Sequence, residues 1–209
     1  MSDSNQDSKF CILQAAAKLF AKLGLDKCST REIAKESKSN ISAISYHFGG
    51  KEGLYREVMR QCALEIKDHV QLRTKQFENV AITKELFKSE MQSLVESLIF
   101  FQMKYPEVLQ IFAREKLTCL KHSKEIHEEI FYPLVKNFIH MFQQAQAAKI
   151  VRSEINPTLY FIMLSEGTWG FFELQKCPTP LLHNLKEFTN NADNLKSQIS
   201  KIFIEGALL

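Results

Sequence analysis

Residues 29–55 read STREIAKESKSNISAISYHFGGKEGLY, and no other stretch restricts the possible folds so tightly. Ser29 and Thr30 are N-cap types standing before a helical run. Within that run Ile33 and Ala34 are apolar, while Arg31, Glu32, Lys35 and Glu36 suit water. Ser37-Lys38-Ser39-Asn40 then interrupts the pattern with small polar residues, as a turn does. Ile41, Ile44 and Phe48 follow at i, i+3 and i+7, one face of a second short helix. The opposite face carries Ser42, Ala43, Ser45, Tyr46 and His47 and has no acidic side chain. Two short helices about a tight turn, the second with a hydroxyl-rich, anion-compatible front, predict a helix-turn-helix that offers the front to a major groove. Gly49-Gly50 breaks the helix, and Lys51 opens the next one where a phosphate backbone would pass.

These residues resemble the TetR family of transcriptional regulators, whose DNA-binding region has matching positions at Thr30, Ile33-Ala34, Ile44, His47-Phe48, Lys51-Glu52 and Leu54-Tyr55. The ending ISYHFGGKE is similar to a branch whose recognition helix closes on YHFG-x-KE. The motif covers about the first 60 residues. The chain departs from the family pattern in three places: Lys38 stands for the usual turn glycine, Ser39 for the apolar residue after it, and Ser45 for a phosphate-contacting tyrosine. The resemblance implies an all-α protein of about nine helices. A helix-turn-helix domain at 1–50 would precede a helical ligand-binding and dimerisation domain at 51–209. It also implies a homodimeric repressor of double-stranded DNA. Thr30, Arg31 and Lys51 would meet phosphate, and Asn40, Ser42, Ala43, Ser45, Tyr46 and His47 would face the groove. A helical ligand carrier or interaction protein that keeps the N-terminal unit only for stability is the alternative.

Composition agrees with an all-helical chain: 209 residues include only 7 Gly and 5 Pro,. Of the 27 basic and 24 acidic residues, ten and seven lie in residues 1–60, which leaves 17 of each beyond. The whole excess of +3 therefore falls in the segment expected to meet DNA, and a dimer doubles it,. No apolar run is long enough to span a bilayer, and MSDSNQDSKF does not read as a secretory signal. Asn40-Ile41-Ser42 is accordingly not read as a glycosylation site. Five scattered cysteines without a C-x-x-C pair read as reduced core thiols of a cytoplasmic protein,.

The rest of the pattern is helical. Residues 1–7 read as disordered. A first helix over about 8–23 buries Phe10, Leu13, Ala17 and Phe20, and Gly24 caps it. A long helix from Lys51 to about Phe77 buries Leu54, Val58, Cys62, Ile66 and Val70, linking the DNA reader mechanically to the remainder. Further helices are expected over about 83–105 (Leu86, Met91, Leu94, Leu98 and Phe101 inward), 106–120, and 123–148, the last kinked or divided by Pro133. Another spans about 157–175, a loop follows to about Asn191, and a helix over about 192–206 packs Leu195, Ile199, Ile202 and Phe203. The family pairs its last two helices with their symmetry mates. Gly167 and Gly170 would allow such an approach, or close packing within one subunit.

Enzyme signatures are absent: no nucleophile elbow, phosphate-cradling loop or H-E-x-x-H. His122 and His127 are five apart and do not share a helical face, so no metal and no cofactor is assigned. Polar residues set among apolar ones nominate Phe112, Arg114, His140, Met163, Glu166 and Trp169 for a small apolar or aromatic effector.

Overall fold

The computed structural model describes residues 3–74, 81–185, 188 and 191–209. Helix α1, Asp3–Lys27, starts five residues earlier than expected, so the N-terminal segment is helical from Asp3. Gly24 interrupts it at φ 78, a left-handed conformation open to glycine at little cost,. The face that α1 buries is Ile12, Ala15, Ala16, Phe20 and Ala21, so of the expected stripe only Phe20 is buried. Phe10 is 60% exposed, and Leu13 and Ala17 are half-buried.

Then come α2, Thr30–Glu36, α3, Ile41–Phe48, and α4, Lys51–Thr74. The expected extension of α4 to Phe77 lies outside the described residues. α5 spans Lys84–Lys104, and α6 spans Pro106–Leu117 with Pro106 in its first turn,. α7, Lys124–Ile126, runs through a π-helical turn, His127–Phe131, into α8, Tyr132–Ala147. The division falls just ahead of Pro133, whose missing N–H and ring oppose a regular ladder there. α9 is Pro157–Leu174, capped by Asn156. A 3-10 segment, Pro180–Leu185, occupies part of the expected loop, and α10, Ala192–Ile199, continues as a π turn, Ser200–Glu205. No strand forms among the described residues. A lone antiparallel bridge joins Val151 to Leu208.

Two compact units result, residues 1–67 with 105–131, and residues 68–104 with 132–209. In the second, Phe87, Met91, Val95 and Ile99 of α5 pack with Phe138 and Phe142 of α8, Tyr160 and Leu164 of α9, and Leu195 and Ile199 of α10. Of the expected stripe of α5, Met91 and Phe101 are buried, while Leu86, Leu94 and Leu98 are only half-buried and Phe87, Val95 and Ile99 take the core in their place. The Phe142 and Tyr160 rings lie 4.8 Å apart, and the Tyr160 hydroxyl donates to the Phe203 carbonyl at 2.6 Å. Ile202, expected inside, is exposed and Ile204 is buried. The π turn advances the helix phase past the 3.6-residue period that the expectation assumed.

Two of the five cysteines fit the core-thiol reading: Cys28 and Cys62 are buried, whereas Cys11, Cys119 and Cys177 are exposed.

Candidate nucleic-acid interface

The first unit builds its helix-turn-helix from helix ends. After Gly24, the carbonyls of Leu25 and Asp26 lack helical partners, and the Lys51 ammonium donates to them at 2.8 and 3.5 Å. Lys51 thus clamps the start of α4 to the end of α1. Ser29, not Thr30, caps α2: its hydroxyl accepts from the Glu32 N–H at 3.2 Å, while the Glu32 carboxylate accepts from the Ser29 N–H at 2.8 Å. This reciprocal box holds the Glu32 carboxyl below the usual carboxylate range, through the hydrogen bonds from Ser29,. Ile33 and Ala34 are buried beneath α2.

The turn forms without a glycine. Ser39 N–H reaches the Ala34 carbonyl at 2.9 Å and Lys38 N–H the Lys35 carbonyl at 3.3 Å, the double closure of a Schellman motif,. Lys38 adopts φ 52 to permit it. The Ser37 hydroxyl donates to the Ile33 carbonyl at 2.8 Å and lies 2.7 Å from the Ser39 hydroxyl, so Ser39 joins the polar network in place of an apolar contact. Asn40 caps α3 by accepting from the Ser42 N–H at 3.1 Å.

Only Ile44 anchors α3 completely. Ile41, expected beside it, is 42% exposed. It is the first residue of the helix, and helical side chains lean toward the N-terminus, so it points past the packed turn. Phe48 is half-buried, with the Lys9 ammonium 5.8 Å from its ring centre. The front stays open: Ser42 and Ser45 are exposed, Tyr46 is 82% exposed, and Ala43 and His47 are half-buried. Asn40 and Arg31 are exposed as well, and Thr30 is half-buried in the first turn of α2. α3 ends at Gly49, in the left-handed region at φ 69.

Two features of this unit went unread in the sequence. An ideal Cβ at Gly53 would fall inside the van der Waals envelope of the Phe48 carbonyl oxygen and 3.0 Å from its carbon. The last carbonyl of α3 therefore lies directly on the first turn of α4, where only glycine leaves room. The other feature is Glu115, 3% exposed, which accepts from the Tyr55 hydroxyl at 3.1 Å and the His122 N–H at 2.7 Å. Tyr55 also meets the Phe20 ring edge-on at 5.0 Å. Burial, and next the negative charge of Glu115, push the Tyr55 hydroxyl well above its ordinary pKa,. A Tyr–Glu pair 60 residues apart leaves no local sequence signal.

The six effector candidates are divided between the units. Phe112 is buried in the first, and the Arg114 guanidinium reaches the Lys22 carbonyl at 3.5 Å there. In the second, His140, Met163 and Glu166 are exposed and Trp169 is half-buried. His127, weighed for metal, has its Nδ1 3.0 Å from the Ser123 carbonyl and packs edge-on against Phe112 and Phe131. Among the described residues no group of three or more His, Cys, Asp or Glu could hold a metal ion.

Residues 12–58 match the family model for bacterial regulatory proteins of the tetR family. The match falls on the helix-turn-helix of the N-terminal unit. The chain is 26% identical over 142 residues to the HTH-type transcriptional dual regulator CecR of Shigella flexneri, covering 64% of this chain and 62% of that regulator. It is 29% identical over 158 residues to the HTH-type transcriptional repressor NicS of Pseudomonas putida, covering 74% and 70%. The chain thus spans less than two thirds of CecR's length. Beyond the matched residues the fold is also shared. The ketosteroid transcriptional regulator KstR2 of Mycobacterium tuberculosis superposes with a TM-score of 0.71 at 18% identity, covering 96% of this chain and 95% of that one.

Proposed function

We propose that the protein is a cytoplasmic transcriptional regulator, not an enzyme, that binds double-stranded DNA as a homodimer and acts most directly as a repressor. The observation that carries this reading is the exposed front of α3, free of acidic side chains, on a turn closed by two backbone hydrogen bonds. Asn40, Ser42, Ala43, Ser45, Tyr46 and His47 face the groove, with Thr30 and Arg31 on phosphate. Lys51 adds charge near the backbone while it clamps α1. The run Tyr46-His47-Phe48-Gly49-Gly50-Lys51-Glu52 supports the YHFG-x-KE branch.

α9 supports the dimer. Leu159, Ile162 and Met163 are exposed along it, and Cβ atoms at Gly167 or Gly170 would meet nothing within 4 Å. No packing among the described residues asks for those glycines, so a second copy is the occupant that explains them. Two readers on a two-fold axis meet half-sites about one DNA turn apart. A small apolar or aromatic effector, bound with differential affinity for two states, would tilt α4 and change the readers' separation.

Sequencing the genomic fragments that the purified protein retains tests the reading. An enriched inverted repeat is expected. Retention of fragments without any shared sequence would overturn regulation at an operator.

A further inference from the structure

Three helices among the described residues end in the same backbone motif with a residue other than glycine in the left-handed position. α2 does so at Lys38, as described above. α6 does so at Cys119, φ 54, where Leu120 N–H reaches the Glu115 carbonyl at 2.8 Å and Cys119 N–H the Lys116 carbonyl at 3.3 Å. α8 does so at Lys149, φ 56, through Ile150 N–H to the Ala145 carbonyl at 2.9 Å and Lys149 N–H to the Gln146 carbonyl at 3.0 Å. In each case the hydrogen bonds fix the conformation, and glycine would adopt it without the Cβ strain. The side chain at such a position is not needed to make the turn.

We propose that Lys38 is a phosphate contact of the DNA-binding surface, kept at a glycine position for its charge. The inference rests on the DNA-binding reading and adds a residue to it. When a helix-turn-helix docks, its first helix crosses the phosphate backbone and the N-terminal end of its second enters the groove. The turn between them therefore passes the lip of the groove. Lys38 is exposed in that turn, two residues before the Asn40 cap of α3, and its ammonium makes no ion pair among the described residues. The Ser37–Ser39 hydroxyl pair and the two backbone closures hold the Lys38 backbone still. The charge thus starts from a fixed point, and less freedom is lost on binding.

A cation near a helix C-terminus also gains from the helix dipole. Lys149 shares that benefit, the motif and the strain, but lies in the second unit, and so serves as the internal control. The test compares wild type, Lys38→Gly, Lys38→Arg and Lys149→Gly in binding to a mixed-sequence DNA duplex across a salt series, alongside thermal unfolding. Relief of one left-handed side chain raises the unfolding midpoint of both glycine variants by about 2–4 °C. Lys38→Gly alone then loses about one unit of salt slope per subunit, about two for the dimer, which is about a sixtyfold affinity loss at 0.1 M salt. Lys38→Arg keeps the wild-type slope. A wild-type slope in Lys38→Gly, or equal losses in Lys38→Gly and Lys149→Gly, overturns the assignment. If wild type itself shows no salt-dependent duplex binding, the DNA-binding reading falls and this contact with it.

Discussion

The placement of α3 on α4 depends on one missing methyl group. In Gly53→Ala the new Cβ would overlap the Phe48 carbonyl oxygen and lie 3.0 Å from its carbon. Carbon–carbon contacts are most favourable near 3.5–4.0 Å, so the two backbones must part by on the order of 1 Å. Both partners are main chain, and no side-chain rotamer can absorb the clash. Overpacking of this kind costs about 1–3 kcal/mol. Alanine recovers up to about 1 kcal/mol through helix propensity, so with that recovery in full the net loss is at most about 2 kcal/mol. The displacement falls on the C-terminal end of α3, so α3 tilts. Urea denaturation measures the first effect. Duplex binding, at a temperature where both proteins are folded, measures the second. Affinity for an enriched operator fragment should fall at least tenfold in a fully folded variant. A Gly53→Ala protein with wild-type stability and wild-type affinity would refute the close approach.

Three further outcomes follow from the same geometry. Tyr55 and Tyr160 both have hydroxyl pKa values raised by burial. The neutral form is favoured in the folded state, so their contribution is complete below the unfolded value of about 10 and is lost as pH rises beyond it. Tyr55→Phe should lose about 1–2 kcal/mol at neutral pH, with the hydrogen bond to Glu115 gone, and a shallower alkaline limb in a pH series of denaturation curves. Lys51→Ala should reduce both stability, by about 1 kcal/mol from uncapped carbonyls, and the salt slope. A stability loss with an unchanged slope would leave Lys51 with the clamp alone. Gly170→Leu should leave the monomer folded and shift it toward the monomeric state in sedimentation, while an unaltered dimer would exclude the α9 face.

The reader was legible because several local signals agree on it: a cap before α2, apolar pairs at helical spacing, and a glycine at the end of α3. The errors have physical causes. α1 and α5 carry apolar residues on more than one face, so Phe10, Leu13 and Ala17 competed with Ile12 and Ala16 for the core, and packing chose the latter. The π turn after α10 changed the phase that would have buried Ile202. The α2–α3 turn lacked its expected glycine because backbone hydrogen bonds, not residue identity, hold Lys38 in place. Glu115 and Gly53 act through partners that spacing cannot reveal, one far along the chain and one a backbone carbonyl.

The account stands most directly on the claim that the open front of α3 reads the major groove. Guanine N7 is a major-groove acceptor, so protection of retained fragments from N7 methylation reports occupancy there. Two protected patches about one helical turn apart, both lost in a Ser42→Glu, Tyr46→Glu variant that still folds, are the expected result. Unprotected guanines throughout a fragment that wild-type protein holds tightly would contradict it.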